Sequence, residues 1–107
     1  MRLPIDTTGM TFLAVSEPEP LMQRDSDRQR LDRDGQPLLT LRLVVLAGGD
    51  AEVLSVRIAG TAPKGIGASA PVRCTGLSAT PWQMGDRAGI TYRAERVEPV
   101  APARQAS

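Results

Sequence analysis

Histidine is absent from this chain of 107 residues, and cysteine occurs once, at Cys74. Without histidine there is no imidazole to act as base, acid or zinc ligand, so Ser/His and Cys/His nucleophile pairs and the usual zinc ligand sets are excluded. A single cysteine rules out an internal disulfide and any multi-cysteine metal site. Aromatic residues are equally scarce: Phe, Trp and Tyr appear once each. No apolar run approaches the roughly 18 residues that a membrane-spanning helix needs. The first residues, MRLPIDTTGM, carry no apolar stretch of signal-peptide type, so the sequence predicts a cytoplasmic protein with no membrane partner.

Lys and Arg number 13 against 12 Asp and Glu, a formal net charge of +1. That field is too weak to argue for nucleic acid, and only the placement of charge can make that case. Lys64 is the lone lysine, so nearly all the positive charge sits on forked, planar guanidinium groups.

The apolar residues that are present alternate with period two and almost never with period 3.6, which predicts strands. Five are expected: MTFLAV (Met10 to Val15), PLLTLRLVVL (Pro37 to Leu46), EVLSVRIAG (Glu52 to Gly60), PVRCTGLSA (Pro71 to Ala79) and AGITYRAERV (Ala88 to Val97). The charged stretch Glu17 to Gly35 contains Pro18 and Pro20 and reads as an edge extension or loop ending in a tight turn at Asp34-Gly35. Gly48, Gly49 and Asp50 make a second turn, and Gly76 marks a bulge or bend. TAPKGIGASA, residues 61–70, is too short and Gly-rich for a stable helix. A flat sheet of five such strands would leave half of its apolar residues uncovered, so the expected fold is all-β, a small closed or half-closed barrel with little or no helix. One domain over residues 1–99 is predicted, followed by a disordered tail at 100–107.

Alternation also assigns faces. Leu39, Leu41, Leu43 and Val45 share one side of their strand, as do Leu54, Val56 and Ile58, then Val72 and Cys74, then Ile90, Tyr92 and Ala94. The opposite side carries one arginine in each of the four strands, Arg42, Arg57, Arg73 and Arg93. These four either form a solvated outer face or line an anionic groove, depending on how the sheet curves.

The segment IGASAPVRCTGL, residues 66–77, runs from an apolar residue and a Gly through Pro-Val into alternating apolar positions and a further Gly. It resembles the fourth strand of the oligonucleotide/oligosaccharide-binding (OB) barrel. Together with RLDRDGQPLL (30–39), AEVLSVRIAG (51–60), APVRCTGL (70–77) and PWQMGDRAGITYRAE (81–95), most of the chain resembles a family of small regulatory proteins of actinobacterial plasmids and integrative elements, found beside replication and transfer genes. The resemblance implies a five-stranded Greek-key barrel of OB type that binds single-stranded DNA. The tail PVAPARQAS holds no acidic residue, unlike the acidic tips through which many single-strand binding proteins recruit partners.

In such a barrel the connection between strands four and five borders the binding groove. That puts Trp82, Gln83, Arg87 and Met84 at its edge, with Trp82 either stacking a base or closing one end of the core. Tyr92 is expected in the core. Lys64 is read as a groove-edge cation or a plain exposed residue. The expected nucleic-acid contacts are therefore Arg42, Arg57, Lys64, Arg73, Trp82, Gln83, Arg87 and Arg93. DRDG, residues 32–35, lacks the later ligands of a calcium loop, and APKGIG, residues 62–67, lacks phosphate-loop spacing. Asp86 and Glu95 have no visible catalytic counterpart, so no enzyme and no cofactor are expected. Two functions remain: a protein that binds single-stranded DNA in replication or transfer of a mobile element, and a module that regulates a replication or transfer protein by contact. Open barrel edges leave room for a homodimer.

Overall fold

The computed structural model describes residues 2–23, 27–60 and 63–100. Among them there is no helix, and hence none long and apolar enough to cross a membrane. The strands are β1 (Leu3–Pro4), β2 (Thr11–Ala14), β3 (Glu19–Pro20), β4 (Leu38–Ala47), β5 (Asp50–Ala59), β6 (Pro71–Thr75), β7 (Ser78–Met84), β8 (Arg87–Arg93) and β9 (Arg96–Pro99). They form a single 9-stranded sheet, curled into a half-barrel, in the order β1-β7-β8-β5-β4-β2-β6-β9 with β3 beside the start of β4.

The all-β expectation holds, and the count of five strands is corrected. Two of the five runs are each bent into two strands. At Gly76, φ is +66° and a side chain would collide with Glu95 at 2.6 Å, so the chain turns there and separates β6 from β7. Ala94 and Glu95 separate β8 from β9, which lets β8 pair in parallel with β5 while β9 pairs antiparallel with β6. The segment expected to be a loop around Trp82 is strand as well. It forms the β7–β8 hairpin, closed at Met84 and Arg87 by a two-residue turn whose first residue, Gly85, has φ +62°.

Between Glu17 and Gly35 the described residues form the edge extension that the prolines suggested. Glu19 and Pro20 pair with β4, and the chain doubles back through the bridges Met22↔Gln29 and Leu31↔Pro37. The turn at Asp34-Gly35 uses only one left-handed residue, Gly35 at φ +81°. The Asp32 carboxylate does the rest by accepting the Asp34 and Gln36 amides, each at 2.9 Å. Of the expected tail, residues 101–107 lie outside the described residues, while the Val100 amide still donates to the Pro71 carbonyl at 2.9 Å.

The core follows the alternation. Leu41, Leu43 and Val56 are wholly buried, with Ile58, Val72, Cys74, Ala94 and Val97 around them. Phe12, Ile66 and Leu77, which the strand pattern did not single out, complete it. Tyr92 packs against this core as expected. Ile90, assigned to the same inward face, is instead 53% exposed. The cause is topological: β8 meets β5 only at Tyr92 and Arg93, so the β7–β8 hairpin beyond them runs past the core as a free two-stranded arm.

Candidate functional site

Two hairpins shape the outer surface. The β4–β5 hairpin closes through Gly48 and Gly49, both at positive φ (+58° and +87°), the conformation that a two-residue turn between right-twisted strands requires. Because β5 and β8 are parallel, the tips of the two hairpins point the same way, and the strands touch only at Val56↔Tyr92 and Arg57↔Arg93.

At that junction the outward alternation sets Arg57 and Arg93 side by side. Two guanidinium groups in register repel, and the fold answers one of them: Asp32, brought in by the doubled-back ribbon, pairs with Arg93 at 3.1 Å. The Asp32 carboxyl is held below its ordinary value first by the Gln36 amide, then by the Asp34 amide and Arg93, against the opposing effect of burial. Among the described residues no carboxylate pairs with Arg57, Arg30 or Arg87. The Arg57 guanidinium is pushed down from its ordinary value by burial and then by the positive charges of Arg30 and Arg93. It stays charged at neutral pH, since an arginine in a protein does not deprotonate there. The field that disfavours its charge is one that an anion would relieve.

Around these cations lies an open groove of about 470 Å³ lined by Arg30, Arg57, Trp82, Met84, Arg87 and Thr91. Cross-strand register puts three arm pairs on one face: Thr80↔Thr91, Trp82↔Gly89 and Met84↔Arg87. Trp82 lies directly over Gly89, where an added Cβ would meet the indole Cζ2 at 2.7 Å. Gly89 is therefore the seat of the ring, and Trp82 remains 41% exposed. Trp82 therefore does not close the core as a buried cap, one of its two expected positions, but lies exposed at the groove.

The structure brings together Arg57, Trp82, Met84 and Arg87 of the residues expected from the sequence. Arg93 adjoins them but is held by Asp32. The others lie elsewhere. Gln83 pairs with Ala88 and alternates with Trp82 and Met84, so it faces the opposite side of the arm. Arg42 is exposed on the outer face of β4 opposite Ser55, outside the groove. Arg73 is on β6, three strands from β5 in the sheet order, opposite Glu98. Lys64 is exposed in the loop before β6, next to Gly65, which sits against Pro99 of β9. Sequence reasoning missed Arg30 and Thr91. Thr91 was available from the alternation that selected Arg93, whereas Arg30 reaches the groove only because the chain doubles back through the bridges Met22↔Gln29 and Leu31↔Pro37, which no local pattern announces. No known family model matches the chain, and no curated protein matches it in sequence.

Proposed function

We propose that the chain is an OB-type barrel that binds single-stranded DNA without catalysis, in the replication or transfer of a mobile element as its sequence resemblance implies. The strand circuit supports the barrel assignment. Taking β8 and β9 as one bent strand, the neighbours run β2, β4, β5, β8/β9, β6 and back to β2, with β5 and β8 parallel. That is the order of a five-stranded Greek-key barrel of this type, in which the face of the second and third strands and the loops after the first and fourth carry the ligand.

One observation carries the functional reading: three arginines that pair with no carboxylate among the described residues share a groove with the one exposed Trp, itself seated on a glycine. Arg30 comes from the connection after the first barrel strand, Arg57 from the third, and Trp82 and Arg87 from the arm between the fourth and fifth. Phosphates would meet the arginines while a base stacks on the indole, a contact worth ~1–3 kcal/mol. A duplex keeps its bases stacked inside and offers the indole nothing, so the groove favours a single strand.

The test is a titration of Trp82 fluorescence with an oligothymidine and with a duplex, paired with a gel shift. Quenching by the single strand is expected, with log affinity falling against log salt at a slope of about −2 for three phosphate contacts on a single strand. Absence of both quenching and a shifted band would end the proposal.

A further inference from the structure

The notch between the two hairpins has a second face, opposite the arginines. The β4–β5 turn pairs Ala47 with Asp50, and in an antiparallel ladder closed by a two-residue turn the hydrogen-bonded pairs are then 47↔50, 45↔52 and 43↔54. The backbone groups of Ala51, Val53 and Ser55 consequently point away from β4. Two bonds elsewhere follow the same parity: the Arg42 carbonyl accepts outward from Val15 at 2.8 Å, and the Arg57 carbonyl from Ala94 at 3.0 Å. β8 meets β5 only from Val56 onward, so among the described residues no strand covers the edge from Asp50 to Ser55. Such an edge is a template for another strand.

The side chains beside this edge are not uniform. Asp50, Glu52 and Leu54 share the inward face and border a cavity of about 280 Å³ whose walls include Phe12, Val45, Leu77 and Tyr92. Neither Asp50 nor Glu52 is paired with a cation among the described residues. On the other face Val53 is 59% exposed. A strand added antiparallel to β5 would set its side chains opposite Leu54 and Glu52 at non-hydrogen-bonded positions, where cross-strand neighbours come closest.

We infer that this edge binds an extended segment of a partner protein with the pattern apolar-x-basic, its apolar side chain entering the cavity beside Leu54 and its cation meeting Glu52 and Asp50. The intervening residue is β-branched or apolar and covers Val53. Main-chain bonds to Ala51, Val53 and Ser55 supply affinity and the alternating side chains supply selectivity, the logic of strand addition. The acidic rim repels phosphate, so this face and the arginine groove select opposite ligands from the two sides of one notch.

The probe is the acetylated, amidated peptide Thr-Val-Leu-Val-Lys-Val-Thr, compared with its Lys-to-Glu counterpart by NMR titration of the full chain. The lysine peptide is expected to bind roughly five- to thirtyfold more tightly, the scale of one opposite-charge pair gained and one like-charge pair avoided. Glu52→Lys, a change at an exposed position, should reverse the preference. Amide exchange should slow at Ala51, Val53 and Ser55 on binding, while Trp82 fluorescence and oligothymidine affinity stay unchanged. Equal binding of both peptides, or exchange unaltered at those three amides, would overturn the inference. So would slow exchange at the same amides in peptide-free protein that sediments as a dimer, since the edge would then belong to a second copy. None of these failures touches the arginine groove, which the oligothymidine titration reads separately.

Discussion

Gly89 and Trp82 act as a unit, because the missing side chain of one is the resting place of the other. Gly89→Ala should lift the indole by steric contact, shift Trp82 emission to the red and weaken oligothymidine binding within the ~1–3 kcal/mol range of a stacked base. Trp82→Ala should give a similar loss with the fold intact by circular dichroism, since the ring lies outside the core. Arg57→Gln should weaken binding to every sequence alike and make the salt slope shallower by about 1. Asp32 serves the site indirectly, tying the ribbon that delivers Arg30 to Arg93 of β8. Its folded-state pKa lies below the ordinary 3.8, so the stability it contributes is present above that value and is lost as pH falls through the depressed one. Comparing melting temperature against pH for the wild type and Asp32→Asn should show the gap between them close in acid; a gap constant with pH would refute this role.

The two hairpins differ in how they are supported. β4 and β5 pair over their full length and carry Leu41, Leu43 and Val56 into the core, whereas among the described residues no other strand pairs with the arm beyond Thr80 and Thr91. An isolated two-stranded ribbon is marginal in water. Amide exchange should therefore be slowest at the β4–β5 positions facing the core and fastest in the arm, and an oligonucleotide should slow the arm selectively. Leu41→Ala should cost roughly 2–5 kcal/mol in denaturant unfolding. The first hairpin was legible because one unbroken alternation and a Gly-Gly turn both announce it. The second was not, since Pro81 and the polar residues around Trp82 resemble a loop, and only the pairing with β8 makes them a strand. Ile90 was misassigned for a related reason: alternation tells which side a residue faces, but not whether the core extends that far.

With one net positive charge the protein relies on where its charges sit, not on how many there are. The groove concentrates three arginines on one side of the notch, and Asp50 and Glu52 stand on the other. Four arginine-bearing strands would predict a salt slope of about −3 for single-stranded DNA, and the three that meet in the groove predict about −2. The buried core has its own pH dependence through Cys74, whose thiol is pushed up to about 11 by burial. A thiol with a raised folded-state pKa contributes stability below its ordinary value of 9.0 that is lost as pH climbs toward 11. The wild type should therefore lose more melting temperature across that range than Cys74→Ala, and Cys74 should react with a thiol reagent at pH 8 far more slowly in the native than in the unfolded protein.

Period-two alternation and the placing of glycines were enough to establish an all-β chain, the inward rows Leu39–Val45 and Leu54–Ile58, and the arginines opposite them, because these depend only on neighbours along the chain. Which arginines meet was decided elsewhere. The bend at Gly76 was announced by its glycine, but the break at Ala94–Glu95, the doubling-back that carries Arg30 and Asp32, and the short parallel contact between β5 and β8 are set by pairings between distant segments. Those pairings sent Arg42, Arg73 and Lys64 away from Trp82 and opened the notch between the hairpins. Side-chain direction is a local property of a strand, whereas company across a sheet depends on register and curvature, which belong to the folded chain alone.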